Sequence, residues 1–206
     1  MLTATNLAIG IEERGTAILA SLRPVFAEKG FDGASMQDLA RAAGMSVGNF
    51  YRYFPSKAAI VEGMVGLDLR DIEQDFAAIQ THADPMQGLR EKFRFRLMQD
   101  DCAEDGRLWA EITAAALRKP EIGAAASRME AEIAQHLTAV FALATRRTLV
   151  DAGHRYAAHA AMIVMLFKAC AMRHNATGAD ADSVAELVMQ MIERTLDDIS
   201  ADAVKG

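Results

Sequence analysis

Apolar residues recur at helical spacing along almost the whole chain, and runs of alternating β-branched residues are absent. The pattern predicts an all-α protein of about nine helices. Ile18, Leu22, Val25 and Phe26 share one face of a first helix running from about Ile11 to Lys29, and the GFDGAS stretch after it supplies glycines and a cap. Pro24 falls inside that pattern and predicts either a kink or a shifted boundary, because proline removes a backbone donor and crowds the preceding turn.

Two short helices are expected next. Ser35-Met36-Gln37-Asp38 has the form of a capping box, opening a helix that ends at Gly44. Ser46 can cap a second one, Val47 to about Tyr53, and Pro55-Ser56 closes it before a longer helix from Lys57 towards Ile79. Further breaks are expected at THADP (81–85), DDCAEDG (100–106), RKPE (118–121), Asp151 to Gly153, and NATGADAD (175–182). They divide the rest into a bundle of about six helices, the last two running from about Tyr156 to His174 and from Ser183 to Ile199.

Composition narrows the classes. A chain of 206 residues that is 51% hydrophobic can build a full core without crosslinks. Its two cysteines, Cys102 and Cys170, form no CxxC, so neither a disulfide framework nor a thiolate metal site is expected, and a reducing cytoplasm fits. Glu12 and Glu13 interrupt the N-terminal apolar stretch before membrane-spanning length, so a soluble, unexported protein is expected. His82, His136, His154, His159 and His174 show neither HExxH nor ExxH pairing, and there is no Gly-rich phosphate loop or nucleophile elbow. No catalytic residue, metal or cofactor is expected.

The net charge of −6 speaks against a polyanionic partner until its distribution is considered. Residues 1 to 60 carry a net +1 and the remainder −7, and residues 41 to 60 hold three cations and no anion. That segment is the one place for a polyanion to sit.

It is also where the spacing is most specific. Ala40 is small where a second helix must cross closely, Gly44 permits the turn, and Phe50 plugs the space between the helices: a helix-turn-helix pattern. With Phe50 buried, Ser46, Val47, Asn49 and Arg52 become a surface for reading base edges in a major groove, with Asn49 suited to adenine, Arg52 to guanine or phosphate, and Val47 to a thymine methyl. Gly48 keeps that surface flat for close approach. Tyr51, Tyr53 and Lys57 would flank the groove and hold phosphates.

The segment SMQDLARAAGMSVGNFYRYFPSKAAI resembles the N-terminal signature of the TetR family of transcriptional regulators over about 50 residues. The matching positions are Ser35, Leu39-Ala40, Ala43-Gly44-Met45-Ser46, Gly48, Phe50-Tyr51, Tyr53-Phe54 and Ser56-Lys57, with Met45 and Tyr53 departing from the commoner Val and His. The resemblance implies a DNA-binding head over residues 1–56, in which Ser35 and Gln37 join the groove-facing set, and a ligand-binding and dimerisation domain over residues 57–206. It further implies a double-stranded, palindromic DNA operator, a homodimer through the last two long helices, and repression released by a small apolar or amphipathic effector. Candidate effector-lining residues are Phe93, Leu97, Trp109, Ile112, Met129, Ile133 and Met162, with Arg107 and Glu111 placed to orient a polar group beside Trp109. The competing readings are an enzyme and an interaction module that has lost DNA binding.

Overall fold

A computed structural model of the protein describes residues 4–98, 102–172 and 179–204. Among the described residues there are nine helices and no strand. They are α1 (Ala4–Gly33), α2 (Met36–Ala42), α3 (Val47–Tyr53), α4 (Lys57–Gln80), α5 (Pro85–Met98), α6 (Cys102–Ala116), α7 (Pro120–Thr145), α8 (Leu149–Met172) and α9 (Ala179–Val204).

The all-α expectation and the short capped helices are found as predicted, while several boundaries move. α1 continues through Pro24; its one non-helical residue is Gly30, at φ 72° and ψ 164°. Pro24 and Ala20, one turn before it, both lie exposed, so the bond that proline cannot make is lost on the solvent side of the helix. The break expected at Asp151–Gly153 lies instead at residues 146–148. There Arg146 takes a left-handed φ of 53°, Arg146 N–H donates to the Leu143 carbonyl (3.2 Å) and Arg147 N–H to the Ala142 carbonyl (3.0 Å), which closes α7. Thr148 then caps α8, its hydroxyl accepting from Asp151 N–H at 3.2 Å. α6 starts at Cys102, inside the break expected over 100–106, and α9 starts at Ala179, inside that expected over 175–182. Residues 100–101 and 175–178, and the expected helix end at His174, lie outside the described residues.

The chain groups into two compact units, residues 1–67 with 108–126, and residues 68–107 with 127–206. The second half of α6 and the start of α7 thus group with the N-terminal residues.

In the first unit, Leu22, Phe26, Leu39, Phe50, Ile60 and Met64 are fully buried. The last turn of α1, beyond the kink at Gly30, is gripped from three directions. Phe31 N–H donates to Glu111 Oε2 (3.3 Å), while Lys57 Nζ donates to the carbonyls of Phe31 (2.6 Å) and Asp32 (3.2 Å). The Asp32 carboxylate meets Arg118 (2.9 Å) and Lys119 (3.0 Å), whose hydrogen bonds hold it below the usual carboxylate range. The Phe31 ring stacks on Phe26 at 5.7 Å and carries the Lys57 and Lys119 ammoniums over its face at 4.9 and 5.5 Å.

In the second unit, Leu89, Leu137, Val140, Phe141, Ile192 and Leu196 anchor the core. α5 is polar for a packed helix and is held by charge on two sides. Arg90 pairs with Asp197 (2.8 Å) and Arg94 with Glu193 on α9, while Lys92 and Arg96 pair with Asp75 on α4. Burial opposes ionisation of Asp75, yet the hydrogen bonds from Lys92 and Arg96 keep its pKa below the ordinary value. Tyr156 donates to Asp202 (2.6 Å), tying α8 to the end of α9.

Two of the three positive-φ positions among the described residues, Gly30 and Arg146, give opposite predictions. A Cβ at Gly30 would stand 2.8 Å from Glu111 Oε2 in a backbone region closed to other residues, so Gly30→Ala should destabilise by about 2 kcal/mol or more. Arg146 occupies a position suited to glycine, and Arg146→Gly should stabilise by roughly 0.5–1 kcal/mol. Urea denaturation followed by circular dichroism reads both; a neutral Gly30→Ala or a destabilised Arg146→Gly would contradict the backbone argument.

Candidate nucleic-acid interface

The site is built from α2, its turn and α3. Ser35 and Asp38 close a reciprocal cap: Asp38 N–H donates to Ser35 Oγ (3.1 Å), and Ser35 N–H and Oγ–H donate to Asp38 Oδ2 (3.1 and 2.6 Å). Asp38 also takes the Lys29 ammonium at 2.8 Å and Arg41 at 3.4 Å. Hydrogen bonding by Lys29 and then by Ser35 holds its carboxyl far below the usual range, so it stays ionised in mildly acidic solution.

α2 ends in a left-handed turn. Gly44, at φ 64°, donates its N–H to the Arg41 carbonyl (3.0 Å), and Met45 N–H donates to the Ala40 carbonyl (2.9 Å). The chain is thereby redirected into Ser46, whose hydroxyl accepts from Asn49 N–H at 3.3 Å and opens α3.

α3 has seven residues, and one of them is buried. Phe50 is fully enclosed and meets Phe54 with ring centroids 5.6 Å apart. Val47, Gly48, Asn49, Tyr51, Arg52 and Tyr53 are all exposed, Tyr51 by 46%. Ser35, Gln37 and Ser46 are exposed as well. Arg52 has no ion-pair partner among the described residues. A Cβ at Gly48 would meet nothing within 4 Å, and its φ is not left-handed, so neither packing nor backbone conformation within the chain calls for glycine there.

Lys57 is placed differently from the sequence expectation. It was expected beside phosphates, but its half-buried ammonium is directed at the carbonyls of Phe31 and Asp32, and burial lowers its pKa. Glu111 likewise accepts from the Phe31 backbone, where the sequence suggested a ligand-orienting role beside Trp109. Sequence reasoning missed Asp38 as a hub for Lys29 and Arg41; the spacing of Asp38 and Arg41 on α2 was legible, the reach of Lys29 from α1 was not.

The candidate effector-lining residues are divided. Trp109, half-buried, and Ile112, buried, belong to the first unit. Phe93 lies in the core of the second unit, with Leu97 and Ile133 packed against that core and Met129 half-buried. Phe93 meets Phe167 at 4.8 Å. Met162 faces outward on α8. Among the described residues no cluster of three His, Cys, Asp or Glu side chains is arranged to hold a metal ion, and no helix is long and apolar enough to cross a membrane.

Residues 18–64 match the family model described as bacterial regulatory proteins, tetR family. The HTH-type transcriptional regulator EthR of Mycolicibacterium smegmatis is 35% identical over 81 residues, covering 38% of this chain and 37% of that protein. The HTH-type transcriptional regulator UidR of Escherichia coli is 30% identical over 84 residues, covering 41% and 40%. These matches span about two fifths of the curated relatives' length. Similarity of fold extends further: the structure of Salmonella enterica GusR aligns with a TM-score of 0.62 at 23% identity over 90% of this chain and 96% of that one. A TetR transcription regulator from Haloarcula marismortui aligns with a TM-score of 0.71 at 14% identity over 90% and 97%. The helix-turn-helix head is that of the tetR family of bacterial regulatory proteins, and it is carried on a helical fold shared with solved structures over about nine tenths of the chain.

Proposed function

We propose that this protein is a sequence-specific DNA-binding transcriptional regulator, a repressor that a small apolar or amphipathic molecule releases from its operator. The observation that carries this reading is α3 itself. A seven-residue helix that buries Phe50 alone and leaves its other six residues exposed has little internal use for Asn49, Tyr51 and Arg52. A projecting helix of this kind fits a major groove about 12 Å wide.

Ser46, Val47, Asn49 and Arg52 read base edges, Tyr51 and Tyr53 set the helix against the phosphates, and Ser35 and Gln37 join the DNA-facing set. Lys57 supports the head from beneath through the Phe31 and Asp32 carbonyls. Residues 1–56 form the DNA-binding part and residues 57–206 the part that binds effector and pairs subunits. The effector works by linkage: it must favour a conformation in which the two heads are wrongly spaced for DNA, and its differential affinity sets how far it shifts the equilibrium.

Two copies pair through α8 and α9, which supports reading a palindrome. α8 buries Ala152, Tyr156, Ala160 and Ile163 on one side, yet its opposite side exposes Ala158, Ala161, Met162 and Met165, the last by 68%. A helix apolar on both sides is a helix with a second partner.

Binding is tested by fluorescence anisotropy on duplex from the gene's own upstream region, and repression by a reporter driven from that region. Asn49→Ala should relax discrimination at one base pair by about 1–3 kcal/mol, while leaving affinity for random duplex unchanged. Gly48→Ala separates function from folding. It should raise helix stability by a few tenths to about 1 kcal/mol while weakening operator binding, because the added methyl stands between the α3 backbone and the groove. Operator affinity unchanged in Gly48→Ala would remove the close approach from this reading.

A further inference from the structure

α9 carries two adjacent rows of charge that are used differently. Glu193 and Asp197 are committed to Arg94 and Arg90 of α5. Arg194 and Asp198, each one residue further along, are exposed, and neither has an ion-pair partner among the described residues although they stand one turn apart. They do not lie on an ordinary solvent face. Leu187, Met191, Arg194, Asp198 and Ala201 are all exposed and follow one another at spacings of four, three, four and three residues, the period of a coiled-coil seam. Leu187 is 57% and Met191 49% exposed. The side facing the protein's own core is a different stripe, with Met189, Ile192, Leu196 and Ile199. On α8 the same period links exposed His154, Ala158, Ala161 and Met165.

A charge inside a helix-pairing seam costs stability unless it meets its opposite, and polar seam residues fix register. One arrangement satisfies both charges with a second copy of this chain. In an isologous pair, residue i meets j and j meets i, so two α9 helices crossing antiparallel about a two-fold axis midway between positions 194 and 198 bring each Arg194 against the partner's Asp198. The same axis sets Met191 against the partner's Ala201, large against small.

We propose that Arg194 and Asp198 form a reciprocal pair of ion pairs across the subunit interface and set the register in which two copies join. This rests on the dimer reading above and adds to it the residues that choose the partner and the alignment. Self-complementarity makes the surface selective for its own kind, since a related chain lacking either charge would leave an unpaired ion in the seam.

Sedimentation velocity and native mass spectrometry of the full chain test it with three variants. Arg194→Asp places two acids in each seam and Asp198→Arg two bases, so each alone should dimerise about tenfold or more weakly than the parent. The double variant R194D/D198R should regain parent-like dimerisation, and an equimolar mixture of the single variants should form heterodimer in about tenfold or greater excess over either homodimer. Circular dichroism should show parent helicity for all three, as both positions are on the surface. Parent-like dimerisation of both single variants with a statistical mixture would overturn the ion pairs while leaving the dimer intact. Failure of the double variant to recover would overturn them too. A parent protein monomeric at micromolar concentration would instead overturn the dimer reading on which the proposal stands.

Discussion

A seven-residue helix cannot sustain itself in water, because nucleation fixes several residues before the first hydrogen bonds reward it. α3 is such a helix and buries one side chain, so its existence depends on what Phe50 and the two caps supply. Ser46 satisfies one amide at its start, the Phe54 N–H closes its end on the Phe50 carbonyl, and Phe50 fixes its rotation. The economy has a functional consequence. Every residue not needed to hold α3 in place is left for an outside partner, and the single apolar anchor decides which face that is.

The platform beneath α2 and α3 depends on a second local constraint. Gly30 kinks α1, and the carbonyls of residues 31 and 32 fall in its last turn, where no helical amide follows to bond them. Lys57 takes these carbonyls and Glu111 the Phe31 N–H, while Arg118 and Lys119 hold the Asp32 side chain. The arrangement explains why residues 108–126 group with the N-terminal residues. It also gives Lys57 a supporting position: its ammonium donates to the Phe31 and Asp32 carbonyls and lies over the Phe31 ring.

The capped elements were legible in the sequence because capping is local chemistry. The side chain that ends or begins a short helix sits within three residues of the amide it satisfies, so Ser35–Asp38, Gly44 and Ser46 placed α2 and α3 to within a residue or two. Boundaries set by distant packing were not legible. Gly153 looked like a break but lies within α8, and the real break falls at Arg146, a residue whose type does not announce a left-handed turn. Asp151 likewise reads as turn chemistry, yet it lies in the first turn of α8, where its charge suits the helix start and Arg147 pairs with it at 3.1 Å. The Lys57 placement required knowing which carbonyls would be left unbonded 25 residues away, which periodicity does not encode.

The distribution of committed charge shapes how the head can bind. Lys29 and Arg41 share Asp38, so that trio carries one net positive charge, and Lys57 is bonded to carbonyls in the last turn of α1. Arg52 remains the cation on α3 with no internal partner among the described residues. Counterion release scales with the number of phosphates neutralised, so a head with few uncommitted cations draws less of its affinity from that term than a basic arm does. On the reading proposed above, more of it comes from short-range contacts through tyrosine hydroxyls, Asn49 and the bare backbone at Gly48. Such contacts demand geometry, so on that reading the caps and the hydrogen-bonded last turn of α1 are a condition of recognition.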